Sequence, residues 1–210
     1  FAKLNRWVVD QYRSVITDPD LLEEFSEYVC GPKDETDVTW RVLRAAHKYS
    51  TMRELEMIRM VNEPFRIVGI ERGINKDIEG FLDLRGLQLL VAKQQPWEFL
   101  VEVERLRFQT RWNQTPRVPR TSVLGHSYFV AVLTLLMGRD LELCPERRFN
   151  DFFSALFHDL PEAVTRDIIS PVKQATDHLP FIVKGIEDRI VEQELLPRMD
   201  PSFRDELLYV

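Results

Sequence analysis

The protein has 210 residues, a formal net charge of −6 and a hydrophobic content of 44%. A chain of this size can bury one substantial core or two small ones, and its apolar content argues against disorder. The acidic balance argues against a nucleic-acid partner, since nonspecific binding to phosphates comes mainly from Lys and Arg, and no apolar run reaches the roughly twenty residues that span a membrane.

The N-terminal segments predict two short helices in succession. Residues 4–16 and 17–29 each space apolar side chains at helical intervals. Asp18 is the expected N-cap of the second helix, and Pro19 occupies its first position, where a missing backbone N–H is tolerated.

The region 37–64 continues the helical period. Thr51 and Glu54 have the spacing of a capping box, so we expect a second helix to begin there and to end at Pro64. The following segment, 77–93, is indecisive: it is either a helix interrupted at a glycine or a partly extended link.

The second half of the chain begins with an amphipathic segment at 96–112 and a proline-containing loop. Thr121 and Ser122 are candidate N-caps for the next helix, whose apolar residues cover most of its circumference, so we expect it at the centre of a bundle. Strongly helical patterns follow at 121–140, 147–170 and 179–199.

These patterns predict an all-α protein, because long alternating runs bounded by hairpin turns are absent. We place a soft boundary near residue 95. It separates an N-terminal helical region of unassigned role, 1–95, from residues 96–210, which hold the candidate chemistry.

Cys30 and Cys144 are far apart and have no CxxC partner. We therefore expect two reduced, buried thiols. Together with the absence of a signal-peptide pattern, they favour a cytoplasmic protein.

The stretch 152–173, FFSALFHDLPEAVTRDIISPVK, places several ionisable groups after an apolar helical run. His158 and Asp159 are adjacent, so on a helix their side chains diverge by about 100° and converge only toward a bundle interior or at a helix end. Pro161 predicts such an end around 157–160. Imidazole and carboxylate groups are suitable ligands for a divalent first-row metal.

His126, near the start of the other apolar helix, is the candidate third ligand, while Glu162 and Asp167 could take or relay a proton. A structural alternative exists, because an aspartate often caps a helix and a histidine often bonds to a backbone carbonyl. Two apolar helices that each carry a histidine at one end, with carboxylates after the second, favour metal binding.

Five arginines precede His126 in this otherwise acidic chain, and guanidinium groups suit phosphate recognition. For each of them, the alternative is a solvated helix face. The candidate phosphate contact is Arg111. The five are Arg105, Arg107, Arg111, Arg117 and Arg120.

Four motifs together resemble the HD-domain metal-dependent phosphohydrolases, and most closely their bacterial 5′-deoxynucleotidase branch. The resemblance covers roughly residues 98–210 and implies a multi-helix HD-domain bundle, with residues 1–95 as an additional helical region. The motifs are RW at 111–112, GHS at 125–127, HDLPE at 158–162 and TRDIISPVK at 165–173.

Site roles follow from the resemblance residue by residue. The implied metal ligands are His126, His158 and Asp159. The implied catalytic carboxylates are Glu162 and Asp167, and the implied substrate contacts are Arg111, Trp112 and Lys173. Gly125 and Arg166 depart from the branch, where an acidic residue and a glycine are usual, and we expect them to alter substrate choice.

The implied activity is hydrolysis of a phosphomonoester, with a (deoxy)nucleoside 5′-monophosphate as the expected substrate and a metal-activated water as the nucleophile. The cofactor is a divalent ion, Mn, Co, Mg, Zn or Fe, and family habit allows a homodimer. The family completes the site with a later aspartate. Asp188, Asp200 and Asp205 are the late candidates, but we expect the true ligand beyond residue 210, in a longer chain.

Two interpretations stay open beside this one. The chain could be a non-catalytic nucleotide-binding or interaction module with a degenerate site, although two retained carboxylates, Glu162 and Asp167, argue against it. His47 could ligate a second metal, but a partly buried histidine near a helix C-terminus is the ordinary interpretation. We expect His178 in a surface loop.

Overall fold

The computed structural model describes residues 1–112, 116, 118–165, 176–201 and 204. Within these residues the regular structure is helical, and the one β-type pairing is an isolated antiparallel bridge between Thr110 and Ser122. The predicted all-α fold is confirmed. The chain divides into two compact units, Phe1–Leu87 and Gln88–Val210, and the functional roles of the regions predicted at 1–95 and 96–210 stay predictions.

The second helix of the chain begins where the sequence predicts a cap. The Asp18 side chain accepts hydrogen bonds from the backbone N–H groups of Asp20 and Leu21, at 2.9 and 3.2 Å, and Pro19 is the first helical residue, as predicted. The helices are α1 (Ala2–Tyr12), α2 (Pro19–Cys30), α3 (Val38–Ile58), α4 (Pro64–Glu79) and α5 (Arg85–Val91).

The predicted break at Thr51 is wrong, because α3 continues through it to Ile58. Thr51 Oγ1 donates a hydrogen bond to the carbonyl of His47, 3.0 Å away, one turn earlier in the same helix. A threonine that bonds back to its own helix needs no capping role. The helical run ends a few residues before Pro64, at Ile58 followed by a 3₁₀ turn at Arg59–Val61, and Pro64 itself begins α4, where proline is well accommodated.

In the second unit, 3₁₀ and π turns follow directly after some of the α-helices. The predicted helix end around 157–160 is confirmed, since α8 ends at Phe157, and Ser122 caps α7 by accepting the Gly125 N–H at 3.0 Å. The helices are α6 (Gln95–Arg105), α7 (Val123–Asp140), α8 (Pro145–Phe157), α9 (Glu162–Thr165) and α10 (Leu179–Ile190). The added turns are Leu106–Phe108, Val191–Leu195 and Leu196–Arg198.

A buried apolar cluster supports this unit. Its members are Phe99, Leu106, Val123, Leu160, Ala163, Leu195 and Met199. The helix α7 contributes to it mainly through its first turn and is not enclosed along its length: Phe129 is 60% exposed and Met137 is 62% exposed. The expectation that this helix lies at the bundle centre is therefore wrong.

Three observations on cysteine exposure, histidine exposure and helix hydropathy bear on other predictions. Cys30 and Cys144 are both exposed, so the prediction of buried thiols is wrong. His47 is exposed in the middle of α3 and not partly buried near its C-terminus. None of the helices in the described part of the chain is long and apolar enough to cross a membrane.

A substitution at Leu195 tests the contribution of the apolar cluster to stability, because this side chain is fully buried. We expect Leu195→Ala to lower the free energy of unfolding by about 2–5 kcal/mol, through lost burial and the cavity left behind. Urea denaturation followed by circular dichroism measures this. Leu141→Ala is the matched control in the same unit, since Leu141 is 68% exposed; an equal loss in both variants would contradict the cluster.

Candidate metal centre

The turn after α8 brings two candidate ligands to one place. With α8 ending at Phe157, the backbone N–H of Leu160 bonds to the Phe157 carbonyl at 2.9 Å, and that of Glu162 bonds to the Asp159 carbonyl at 3.0 Å. His158 and Asp159 thus lie in a tight turn and not on a continuous helix. Their side chains converge, with His158 Nε2 3.1 Å from Asp159 Oδ2.

The first turn of α7 supplies the third group. His126 Nε2 lies 3.8 Å from Asp159 Oδ2, and the His126 and His158 rings meet edge to face, with centroids 5.4 Å apart. One ligand atom from each of the three residues lies within 4.8 Å of the others. The structure therefore brings together the three residues for which the sequence predicts metal ligation.

A backbone contact fixes the orientation of His158. Its Nδ1 lies 2.7 Å from the carbonyl oxygen of Ala155. Because a carbonyl only accepts, Nδ1 must carry the proton and donate, which leaves Nε2 facing Asp159. A histidine held this way through one nitrogen presents the other to a metal, as is usual for metal-ligating imidazoles.

Arg111 reaches the same carboxylate from a third chain segment. Its backbone N–H donates to the Thr121 carbonyl at 3.1 Å, and this pairing places the residue beside the start of α7. The guanidinium Nη1 lies 2.8 Å from Asp159 Oδ2. The Arg111 side chain is 23% exposed and that of Asp159 is 14% exposed, so the ion pair is partly shielded from water.

These contacts shift the ionisation of the turn residues. Burial raises the pKa of the Asp159 carboxyl, but the hydrogen bond from His158 and the charges of His158, Arg111 and His126 outweigh it, so this pKa lies below its usual value. The hydrogen bond to Asp159 raises the pKa of His158, against the opposing effect of burial. Because a protonated imidazole cannot bind a metal, this raised pKa makes protons compete more strongly with a metal at His158.

The donor set fits a divalent first-row ion. Imidazole nitrogen and carboxylate oxygen bind such ions at about 2.0–2.2 Å, so that neighbouring donors in one coordination sphere stand about 3 Å or slightly more apart. The observed 3.1 Å and 3.8 Å separations of the histidine nitrogens from Asp159 Oδ2 agree with this requirement. His126, His158 and Asp159 are the residues that would hold the ion.

The remaining predicted residues divide into two groups. Glu162 begins α9 and is only 7% exposed, which is unusual for a glutamate. Trp112 is 60% exposed and has a positive φ of 57°, a left-handed conformation uncommon for a bulky residue and frequent at functional sites. Five others lie outside the described residues: Arg117, Arg166, Asp167, Lys173 and Asp205.

Among the other arginines, Arg105 forms an ion pair with Glu102, at 2.7 Å, on an exposed face of α6. For this residue the solvated-face alternative is correct.

A cavity of about 370 Å³ adjoins His158 and was not signalled by any sequence motif. Lys184, Asp188 and Glu192 line it together with apolar residues, and Lys184 pairs with Asp188 at 2.8 Å. Spacing along α10 places Lys184 and Asp188 on one face, but nothing in the spacing indicates which face meets His158. Asp188, a late candidate for the fourth ligand, does not join the group formed by the three ligand residues.

Residues 103–210 match the family model described as HD domain. The chain belongs to the HD-domain family. A 5′-deoxynucleotidase of Enterobacter sp. (strain 638) is 28% identical over 114 residues, which are 51% of this chain and 55% of that protein. The predicted resemblance to HD-domain phosphohydrolases, near the 5′-deoxynucleotidase branch, is confirmed.

The extent of this similarity is limited. This HD-domain chain spans about half the length of the curated relative it matches. No solved structure matches it significantly.

The three-residue group predicts stoichiometric metal binding. We expect the purified protein to bind one Mn²⁺ or Co²⁺ per chain, and the double variant His158→Ala, Asp159→Ala to lose that binding because it removes two of the three donors. Elemental analysis and isothermal titration measure the stoichiometry. His178→Ala is the control, as His178 is exposed at the start of α10; equal loss there, or retention in the double variant, would contradict the site.

Proposed function

We propose that this HD-domain chain is a metal-dependent phosphohydrolase that cleaves a phosphomonoester, and that its substrate is a (deoxy)nucleoside 5′-monophosphate. The observation that carries the proposal is that His126, His158 and the Arg111 guanidinium all approach the Asp159 carboxylate. A phosphate at such a site would meet a metal and an arginine together. The family membership and the similarity to a 5′-deoxynucleotidase support it.

A bound divalent ion supplies a Lewis acid that neutralises phosphoryl charge and acidifies water. Arg111 then has a separate role. Its guanidinium lies within hydrogen-bonding distance of Asp159, at 2.8 Å, so it stands at the edge of the ligand group, where it can donate to phosphoryl oxygens. A fixed positive charge there favours the phosphate and the additional charge that develops on it during cleavage.

Glu162 is proposed as the carboxylate that accepts or relays the proton of the attacking water. It lies one turn after Asp159, and its low exposure shields the carboxylate from bulk solvent. Glutamate is one of the side chains that commonly serve as a general acid or base. Asp167 and Lys173 keep their predicted roles as second carboxylate and phosphate contact.

The uncharged part of a nucleotide has apolar surfaces available near the ligand group. The exposed ring of Trp112 directly follows Arg111 in the chain. The cavity beside His158 has apolar walls, including Leu160 and Met199, and its volume of about 370 Å³ is in the range of small-molecule sites. We therefore propose a nucleotide and not inorganic pyrophosphate or a phosphoprotein.

The direct test is phosphate release from a substrate panel after loading with Mn²⁺ or Co²⁺. The panel contains 2′-deoxynucleoside and ribonucleoside 5′-monophosphates, a 3′,5′-cyclic nucleotide, a nucleoside triphosphate and p-nitrophenyl phosphate. Turnover of 5′-monophosphates that is lost in the His158, Asp159 double variant supports the proposal. Nucleotide binding without turnover, in protein shown to contain metal, would instead favour the non-catalytic binding module.

Glu162→Gln tests the proton-transfer role with a side chain of the same size. We expect kcat to fall by roughly 10²–10⁴-fold, the usual contribution of a general acid or base, with metal content unchanged. Steady-state kinetics with a 5′-monophosphate measure it. Glu146→Gln, at an exposed position in the first turn of α8, is the control. Unchanged kcat in Glu162→Gln would remove Glu162 from the mechanism.

Arg111→Ala tests phosphate recognition. We expect kcat/KM to fall by roughly 10²–10³-fold, as when one transition-state donor is removed. Arg147→Ala is the matched control, because Arg147 forms an exposed ion pair with Asp151 at 2.9 Å on α8. If both variants keep wild-type kinetics, Arg111 only balances the charge of Asp159.

A further inference from the structure

Gln109 makes contacts in two directions from a position between α6 and α7. Its backbone carbonyl accepts the Val123 N–H at 2.9 Å. Its side-chain Nε2 donates to the backbone carbonyl of Glu162 at 2.7 Å, a contact between residues 53 positions apart in the chain. No motif in the sequence singles out this glutamine.

Each contact lies next to a residue of the candidate site. Val123 is the first residue of α7, one turn before His126, and Glu162 is the first residue of α9. Arg111 follows Gln109 by two positions and pairs with Thr121 in the same short antiparallel bridge. Gln109 therefore joins the three segments that carry the arginine, the first histidine and the buried glutamate.

The orientation of the Gln109 amide is set by its partner. A carbonyl oxygen only accepts, so the NH₂ group must face Glu162, and the reverse orientation would bring two carbonyl oxygens together. The Oε1 atom is buried and accepts no hydrogen bond from the residues that the structure describes. Among the described residues, the side chain therefore has one hydrogen-bond partner, the Glu162 carbonyl.

We propose that Gln109 is a positioning residue that holds the start of α9, and with it the Glu162 carboxylate, at a fixed place relative to the metal ligands. This inference rests on the proposed function for its catalytic consequence. Its geometric part, the tie between Gln109 and the turn at 159–165, is independent of any activity.

The geometric part is tested by hydrogen–deuterium exchange on the full chain. Gln109→Met keeps the length of the side chain and removes the donor. We expect the backbone amides of Leu160 and of residues 162–165, which bond within this turn, to exchange roughly fivefold faster, the factor for loss of one ordinary hydrogen bond. Gln109→Leu, which also lacks a donor, should give the same change and replaces the methionine variant if that variant does not fold.

Gln95 provides a matched control in the same unit. Its Nε2 donates to the backbone carbonyls of Pro197 and Met199, at 2.6 and 3.1 Å. Gln95→Met therefore removes the same kind of side-chain to backbone bond away from the Glu162 turn. We expect it to lower thermal stability but to leave exchange at residues 160–165 unchanged.

The catalytic part is tested by steady-state kinetics with a 5′-monophosphate. We expect Gln109→Met to lower kcat by roughly tenfold to a hundredfold, because small displacements of a catalytic group are costly, while KM and metal content stay at wild-type values. Gln95→Met should keep wild-type kcat per folded molecule. A purely structural role of Gln109 would lower stability without this selective loss of kcat.

The outcomes separate the two proposals. Unchanged exchange at 160–165 in both Gln109 variants, or equal effects of the Gln109 and Gln95 substitutions, would overturn the role of Gln109 while wild-type hydrolysis stands. If the metal-loaded wild type releases no phosphate, the proposed function fails, and faster exchange in the Gln109 variants would still support the tie to Glu162.

Discussion

The Asp159 carboxylate is the group on which the arrangement of the site depends. One of its oxygens lies 2.8 Å from Arg111, 3.1 Å from His158 and 3.8 Å from His126. A carboxylate that is 14% exposed is costly unless cationic or hydrogen-bonding groups surround it. The three partners come from three separate chain segments. All three segments must therefore be held in fixed positions to surround this one charge.

Apolar packing holds the segments in these positions. Buried residues alternate with site residues along the chain: Val123 precedes His126 by one turn, Leu160 follows Asp159, and Ala163 follows Glu162. Each segment thus places an apolar side chain in the common cluster and a polar one at the site. Because well-packed interiors resist small displacements, the cluster helps to hold the ligand residues around Asp159.

Local sequence signals account for much of the fold but for less of the site. Caps and proline positions correctly predicted the start of α2, the start of α7 and the end of α8, because each acts on neighbouring backbone groups. The prediction at Thr51 is wrong because a threonine side chain can either cap a helix or bond back to the helix that contains it. The ligand roles of the two histidines and Asp159 stay predictions, now with a common location. No local sequence pattern indicates the role of Gln109, because its side-chain partner lies 53 residues away.

The site groups share one further property, which explains why they can converge. They lie at interruptions of regular structure: Trp112 has a positive φ, His126 is in the first turn of α7, and His158 and Asp159 follow the last residue of α8. Helix ends carry backbone groups that need partners and side chains that are free of the helical period. An HD-type site assembled from such ends can bring adjacent residues of one segment to the same ion, which a continuous helix would direct about 100° apart.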